Sequence, residues 1–224
     1  MYGGDGIDQA AYWTSNSGVT VDLARSANNA GGAAGDTISG IENIHGSKFD
    51  DHLYGNLSAN VIEAGKGDDV VLGLGQADAL SGGQGDDYMS GGLGADIMDG
   101  GGGTDLMFGD AGADVMLGGT DDDEMHGGRG RDTMSGGSGN DFLSGGTDRD
   151  SLFGGDDDDH LLGEGGGDAL FGESGDDVLE GGAGRDWMSG GAGNDVLLGG
   201  IGGDILSGDY GDDTMTGGAN ADIF

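Results

Sequence analysis

The chain has 224 residues, 58 of them glycine, with no proline and no cysteine, and 43 acidic residues against 7 basic ones give a formal net charge of −36. So much charge beside so few large apolar residues falls on the disordered side of the composition boundary, and the missing cysteines exclude a disulfide scaffold, a zinc finger and a thiol nucleophile. Collagen is excluded by the lack of proline and of a period of three, a membrane span by the lack of any apolar run near ~20 residues, and nucleic acid and anionic membranes as partners by repulsion.

In chain order, residues 1–45 come first and are read as an irregular β spacer. Gly3-Gly4-Asp5-Gly6-Ile7-Asp8 resembles one isolated turn of the pattern described below, and no N-terminal signal peptide is expected. Val19, Val21 and Leu23 alternate with Thr20 and Asp22, the signature of a half-buried strand. Ile38, Ile41 and Ile44 then supply apolar contacts leading into the next segment, so this region is expected to extend the same stack.

From Gly46 to Phe224 the chain divides into 20 blocks of nine without a slip, the last one residue short. Gly82-Gly83-Gln84-Gly85-Asp86-Asp87-Tyr88-Met89-Ser90 is a clear example. Such internal periodicity dominates any other sequence signal. The sixth position is Asp51, Asp69, Asp78, Asp87, Asp96, Asp105, Asp114, Asp123, Asp132, Asp141, Asp150, Asp159, Asp168, Asp177, Asp186, Asp195, Asp204, Asp213 and Asp222, broken only by Asn60. Position eight is always apolar and holds eight of the 9 methionines, which reads as core filler.

The three glycines at positions one, two and four give access to backbone angles closed to other residues, so six residues are expected to form a tight turn. The three residues that follow form a very short strand with its middle side chain inward. Two turns and two strands make an 18-residue coil, and stacked coils make two parallel sheets, an all-β, two-sheet β-solenoid. Turns on one edge then lie about 4.8 Å apart, and their carboxylates and carbonyls face one another. Oxygen-only ligands at that spacing suit Ca²⁺, which takes six to eight oxygens at roughly 2.3–2.6 Å, better than Mg²⁺ or Zn²⁺. Pairing each block with the next but one allows up to 18 inter-turn sites. Leu74, Gln76, Asp121, Asp148, Asp157, Glu164 and Asn220 replace turn glycines, and the block at 73, with two replacements, is expected to be weakest.

Ordering nine residues costs about 9–18 kcal/mol, and burying one position-eight side chain returns only about 1.5–3 kcal/mol. Metal binding is therefore expected to supply folding free energy. No enzymatic site is expected. His45, His52, His126 and His160 form no His-Glu-x-x-His pair, no Gly-x-Ser-x-Gly occurs, and Gly65-Lys66-Gly67 lacks the following Ser or Thr of a phosphate loop. Asp156-Asp157-Asp158-Asp159 is positions three to six of one block. The outward column Val70, Tyr88, Leu106 and Phe142 reads as sheet surface, with docking of another domain as the alternative.

The motif Gly-Gly-x-Gly-x-Asp-x-apolar-x resembles the RTX (repeats-in-toxin, hemolysin-type) calcium-binding nonapeptide, strongly over 46–224 and locally at 3–8. The resemblance implies a parallel β-roll that binds Ca²⁺ through position-six carboxylates and through the backbone carbonyls of positions two and four. The clearest matches for those carbonyls are Gly83 and Gly85, Gly92 and Gly94, Gly137 and Gly139, Gly182 and Gly184, and Gly191 and Gly193. It implies an extracellular bacterial protein exported by a type I system, unfolded where calcium is scarce and folded where it is plentiful. Family members carry such arrays beside toxins, serralysin-like proteases, lipases, alginate epimerases or adhesins. The expected partners are thus calcium ions and a fused catalytic, toxin or adhesin domain, with end-to-end self-association through the roll's ends and no membrane insertion by this segment. The chain starts and stops inside a repeat, without the usual C-terminal flank, and is expected to be a fragment.

Overall fold

A computed structural model describes all of residues 1–224. The short strands β1 (Gln9–Ala11), β2 (Val19–Asp22), β3 (Ala30–Gly31), β4 (Asn43–His45) and β5 (His52–Asn56) precede a regular series that begins with β6 (Val61–Lys66) and ends with β23 (Thr214–Ala219), one strand for each nonapeptide. The only helix is a single 3₁₀ turn at Ser26–Asn28.

The strands sort into two sheets by alternation. One sheet of eleven runs β1, β4, β6 and onward through the even-numbered strands; the other, of twelve, runs β3, β2, β5, β7 and onward through the odd-numbered strands to β23. Every pairing is parallel except β2 with β3. Register advances by one 18-residue coil: Met98 lies beside Leu80 on one side and Met116 on the other. A parallel sheet normally needs a dozen or more residues for its crossover. Here the crossover is the turn and strand of the opposite sheet, so the whole molecule is one continuous solenoid of about ten coils.

Position eight fills the space between the sheets. Leu53, Ile62, Val71, Met89 and the series on to Leu197 are fully buried, six of them consecutive methionines from Met89 to Met134. At residues 1–45 the same column is continued by Ala10, paired with Ile44, and by Val21, paired with Leu53. Tyr12, Val19, Ala33, Ile38 and Ile41 widen that end of the core, with the Tyr12 hydroxyl donating to Asp36 at 3.0 Å. At the far end Met215 and Phe224 are exposed.

Two expectations about the nonapeptide are corrected. The strand is six residues long, not three. In Tyr88–Leu93 it includes positions seven to nine and runs on through positions one to three of the next turn, whose backbone still pairs with the neighbouring coils. Leaving those amides unpaired would carry a desolvation penalty. The glycine at position one is also not there for its backbone angle. Gly83 and Gly85, at positions two and four, have φ of +118° and +123°, whereas Gly82 has an ordinary φ. Gly82 is required by space: a Cβ there would run into the Asp87 carboxylate of its own block and crowd the Gly100 carbonyl one coil on.

The glycine replacements adopt the same angles. Leu74 and Gln76 have φ of 83° and 65°, and Asp121, Asp148, Asp157, Glu164 and Asn220 are likewise positive. Asp110, Glu173 and Asp209 join them at position two. Three of the position-two acids are held by a serine one coil below: Ser90 Oγ donates to Asp110 at 2.6 Å, Ser144 Oγ to Glu164 at 2.7 Å, and Ser189 Oγ to Asp209.

Candidate metal centre

Both edges of the solenoid carry a ladder built from position six. Within it, each aspartate engages the coils on either side. The Asp87 backbone N–H donates to Asp105 Oδ1 at 2.8 Å, Asp87 Oδ1 accepts from the Asp69 N–H at 2.7 Å, and the Asp87 carbonyl accepts from the Leu106 N–H at 2.8 Å. The second edge repeats the pattern through Asp78, Asp96 and Asp114. One carboxylate oxygen therefore locks the register between coils.

The other oxygen has no partner. Oδ2 of each position-six aspartate from Asp69 to Asp204, sixteen in all, is buried and accepts no hydrogen bond. An unsatisfied buried carboxylate oxygen is costly, and native proteins hold few. The titration of these groups shows the same stress. Burial, opposed in part by the backbone hydrogen bond to Oδ1 and reinforced by carboxylates one coil away, raises Asp69 and Asp159 to about 8 and Asp87, Asp114, Asp123 and Asp150 to about 7. Asp78, Asp105, Asp141, Asp168 and Asp177 rise to about 6 from the same leading cause. Asp96, Asp132, Asp186 and Asp195 shift upward too. Neutral pH thus sets these fifteen buried acids against ionisation, a conflict that a row of cations resolves.

Donor chemistry selects the cation. No three side chains of His, Cys, Asp or Glu converge anywhere, so any ion in the turns must draw most of its ligands from backbone carbonyls. Those carbonyls are in place. Beside Gly83 stands the Gly65 carbonyl of the preceding coil, and beside Gly85 the Gly67 carbonyl, each so close that a Cβ would collide with it. Glycine at these positions allows carbonyls of adjacent turns to approach. An all-oxygen set of few carboxylates and many carbonyls fits calcium and offers zinc nothing it prefers.

The ten glycines matched at positions two and four (83, 85, 92, 94, 137, 139, 182, 184, 191 and 193) all have positive φ, between 91° and 154°. Three position-six aspartates stand apart. Both oxygens of Asp51 are already engaged, Oδ1 by the Val19 N–H at 2.7 Å and the Ser47 hydroxyl at 2.9 Å, and Oδ2 by the Ser47 N–H. Asp213 and Asp222 accept from the Asp195 and Asp204 N–H groups at 3.0 Å, and their own N–H groups donate to no aspartate of a further coil. At the one break in the ladder, Asn60 turns its Nδ2 to the Glu42 carbonyl at 2.7 Å and its Oδ1 to the Asn56 N–H at 2.8 Å. Protein groups thus satisfy these two rungs, a hydroxyl and amides at Asp51 and a backbone amide and carbonyl at Asn60.

Asp8 was not among the expected ligands, yet its Oδ2 is also buried without a partner. Its backbone N–H donates to Glu42 Oε2 at 3.0 Å, which places Glu42 in the position-six column. Gly4 and Gly6 beside it have φ of +107° and +126°, the signature of positions two and four. The signal was present in Gly3-Gly4-Asp5-Gly6-Ile7-Asp8, and Glu42 lies 18 residues before Asn60.

The histidines gather no metal set. His45, His126 and His160 each meet one glutamate, Glu63 at 3.7 Å, Glu124 at 2.8 Å and Glu180 at 3.2 Å. His126 and His160 belong instead to a row of rings on the outer face of the odd-numbered sheet, Tyr88, Phe108, His126, Phe142 and His160, with centroids 5.0–5.8 Å apart. Cross-strand ring pairs of this kind stabilise a sheet surface.

The family model for the RTX calcium-binding nonapeptide repeat matches eight overlapping segments: residues 36–71, 72–107, 99–134, 108–143, 135–170, 162–197, 171–206 and 198–224. No curated protein matches the chain. Its repeat, its two-sheet solenoid and its ladder of unpartnered turn carboxylates agree with that match, and the chain belongs to the RTX calcium-binding nonapeptide repeat family.

Proposed function

We propose that this chain is a non-catalytic module that folds when it meets calcium, as part of an exported protein. The observation that carries the proposal is the row of sixteen buried, unpartnered Oδ2 atoms. Calcium, when bound, would supply the positive charge that the turn carboxylates and carbonyls coordinate. The chain's own residues do the rest. Position-six backbone amides and Oδ1 atoms set the register, glycines at positions two and four bring carbonyls to the turn, and position eight closes the core. Without a cation, carboxylates about 4.8 Å apart along each edge repel, and a chain of net charge −36 stays expanded.

This coupling suits a chain that must cross an export channel unfolded and fold outside, where calcium is plentiful, and type I secretion is the route proposed for it. The occupied sites are proposed to number about as many as the orphaned oxygens, with Asp51 held by Ser47 and Val19 instead. Affinity is expected in the weak extracellular range, around 10⁻⁴–10⁻³ M per site. The second reading makes the chain the accessory part of a secreted hydrolase or epimerase, or a spacer in an adhesin, with activity on other residues. The exposed apolar groove lined by Ile7, Ala59, Ala77, Ala95, Val61 and Ile97 favours a covered neighbour of that kind.

Small-angle scattering tests the proposal. In EGTA the chain should have an unfolded radius of gyration, about 50 Å for this length, and it should shrink to less than half of that in millimolar CaCl₂ but not in MgCl₂. A compact chain in EGTA would overturn it.

A further inference from the structure

The two edges of the solenoid are alike at position six and differ at position five, where one is mostly acidic and the other is neutral except for a stretch of arginines. On the edge leading into the odd-numbered strands, position five is mostly acidic: Asp158, Asp176, Asn194 and Asp212 follow one another coil by coil, all exposed. Each is pre-set by its own small ladder. Asp158 Oδ1 accepts from the Asp176 N–H at 2.8 Å and Asp176 Oδ1 from the Asn194 N–H at 2.7 Å, while no hydrogen bond engages Oδ2 of either. On the other edge, position five carries Arg131, Arg149, Gly167 and Arg185 in successive coils, and Arg129 stands at position three beside the first. All four arginines are exposed, and none comes within ion-pair distance of a carboxylate; the only close pairs in the molecule involve histidine. That is unexpected in a chain with 43 acidic residues, where four of the 7 basic ones collect on one edge. Arg149 leans over Gly167, its Nε at 3.5 Å from where a Cβ would stand, so positive charge also spans the coil that lacks its own arginine.

We infer that the arginine-bearing edge docks the acidic edge of a second copy of this chain. Three features point to that occupant. The charges are complementary, and each row of four coils has two charges, a neutral coil and a third charge: Arg131, Arg149, Gly167, Arg185 against Asp158, Asp176, Asn194, Asp212. The spacing is matched without adjustment, because both rows are carried by the same coil repeat, about 4.8 Å. Guanidinium groups also form charge-assisted hydrogen bonds to carboxylates, and each acidic rung presents a free Oδ2 to accept one. Individual surface pairs are weak, so the contact gains strength only as a row and only between folded copies. The inference therefore rests on calcium-driven folding. The two edges lie on opposite sides of the molecule, so the contact is heterologous: each copy keeps one free edge of each sign, and rows grow open-ended rather than stopping at a dimer.

Sedimentation velocity of the full chain in saturating CaCl₂ tests it, with circular dichroism on the same samples to verify folding. At about 50 mM NaCl the sedimentation coefficient should rise steadily with protein concentration, and at about 500 mM NaCl, where exposed charges are screened within a few ångströms, it should return to the monomer value. The double variant Arg131→Glu, Arg149→Glu should fold normally and stay monomeric at low salt, and mixing it with the Asp158→Lys, Asp176→Lys variant should restore association. A folded protein that remains monomeric at low salt and high concentration would overturn the inference. So would association that persists in the arginine variant or is indifferent to salt. Failure to fold in calcium would instead count against the function proposed above, which the dichroism control distinguishes.

Discussion

A position-six aspartate offers three groups to its neighbours: a backbone N–H to the carboxylate one coil ahead, an Oδ1 to the N–H one coil behind, and an Oδ2 to no protein atom. Asp141 separates these roles. Asp141→Asn keeps an oxygen to accept from the Asp123 N–H but puts an NH₂ where Oδ2 was. It should bind one or two fewer calcium ions by equilibrium dialysis while the calcium-loaded protein keeps its strand content. Asp141→Ala also removes a hydrogen bond to a charged acceptor and should lose a further ~1.5–3 kcal/mol of stability. Equal stoichiometry in the wild type and both variants would contradict the ligand role. The raised acids predict a pH dependence as well. Folded, metal-free Asp69 and Asp159 sit at about 8 and Asp87 at about 7, above the unfolded value of about 3.9. Their contribution to the metal-free roll is therefore fully present below pH ~4 and lost as pH rises through about 6–8. In EGTA the chain should show more strand at pH 5 than at pH 8, and in calcium the affinity should fall on acidification. More strand at pH 8 in EGTA would contradict the assignment of burial as the cause.

At the scale of the strand, position eight carries the packing and the turn carries the specificity. Leu143 is fully buried, stacked between Met125 and Leu161 in the same column. Leu143→Asp places an unpaired charge between the sheets and should split the stack there, since burying a charge without a partner costs several kcal/mol. Less strand signal at saturating calcium is the expected result; a normal signal would show that position eight does not face a core. Much of this element was legible beforehand. The nine-residue period, the inward apolar position and the aspartate register all follow from one chain of symbols, because a repeat states the same local rule twenty times. Other features depend on contacts that a single block does not contain. The strand runs into positions one to three because the coil beside it supplies partners, and the position-one glycine is required by the carboxylate of its own turn and the carbonyl of the next coil. Asp51 differs from its series because Val19, 32 residues away, and Ser47 reach its oxygens. Asp8 was missed because its partner, Glu42, is 34 residues distant and is not an aspartate.

At the scale of the molecule, the solenoid is quasi-one-dimensional: each coil touches only its neighbours, so its stability is a sum over coils and interfaces. The same unsatisfied atom recurs sixteen times, and under the proposed function a small deficit per coil adds up, so the chain is predicted not to hold together at neutral pH without cations. Two rungs near the start of the stack differ, with protein hydrogen bonds at Asp51 and Asn60 in place of open oxygens. Cooperativity should follow, each ordered turn presenting half of the next site. The most direct test of this account is far-UV circular dichroism of the purified chain at pH 7.5, titrated from EGTA into millimolar CaCl₂ with MgCl₂ as the control. The account predicts a disordered spectrum in EGTA and a steep, calcium-specific gain of strand signal; a full strand spectrum already present in EGTA would contradict it.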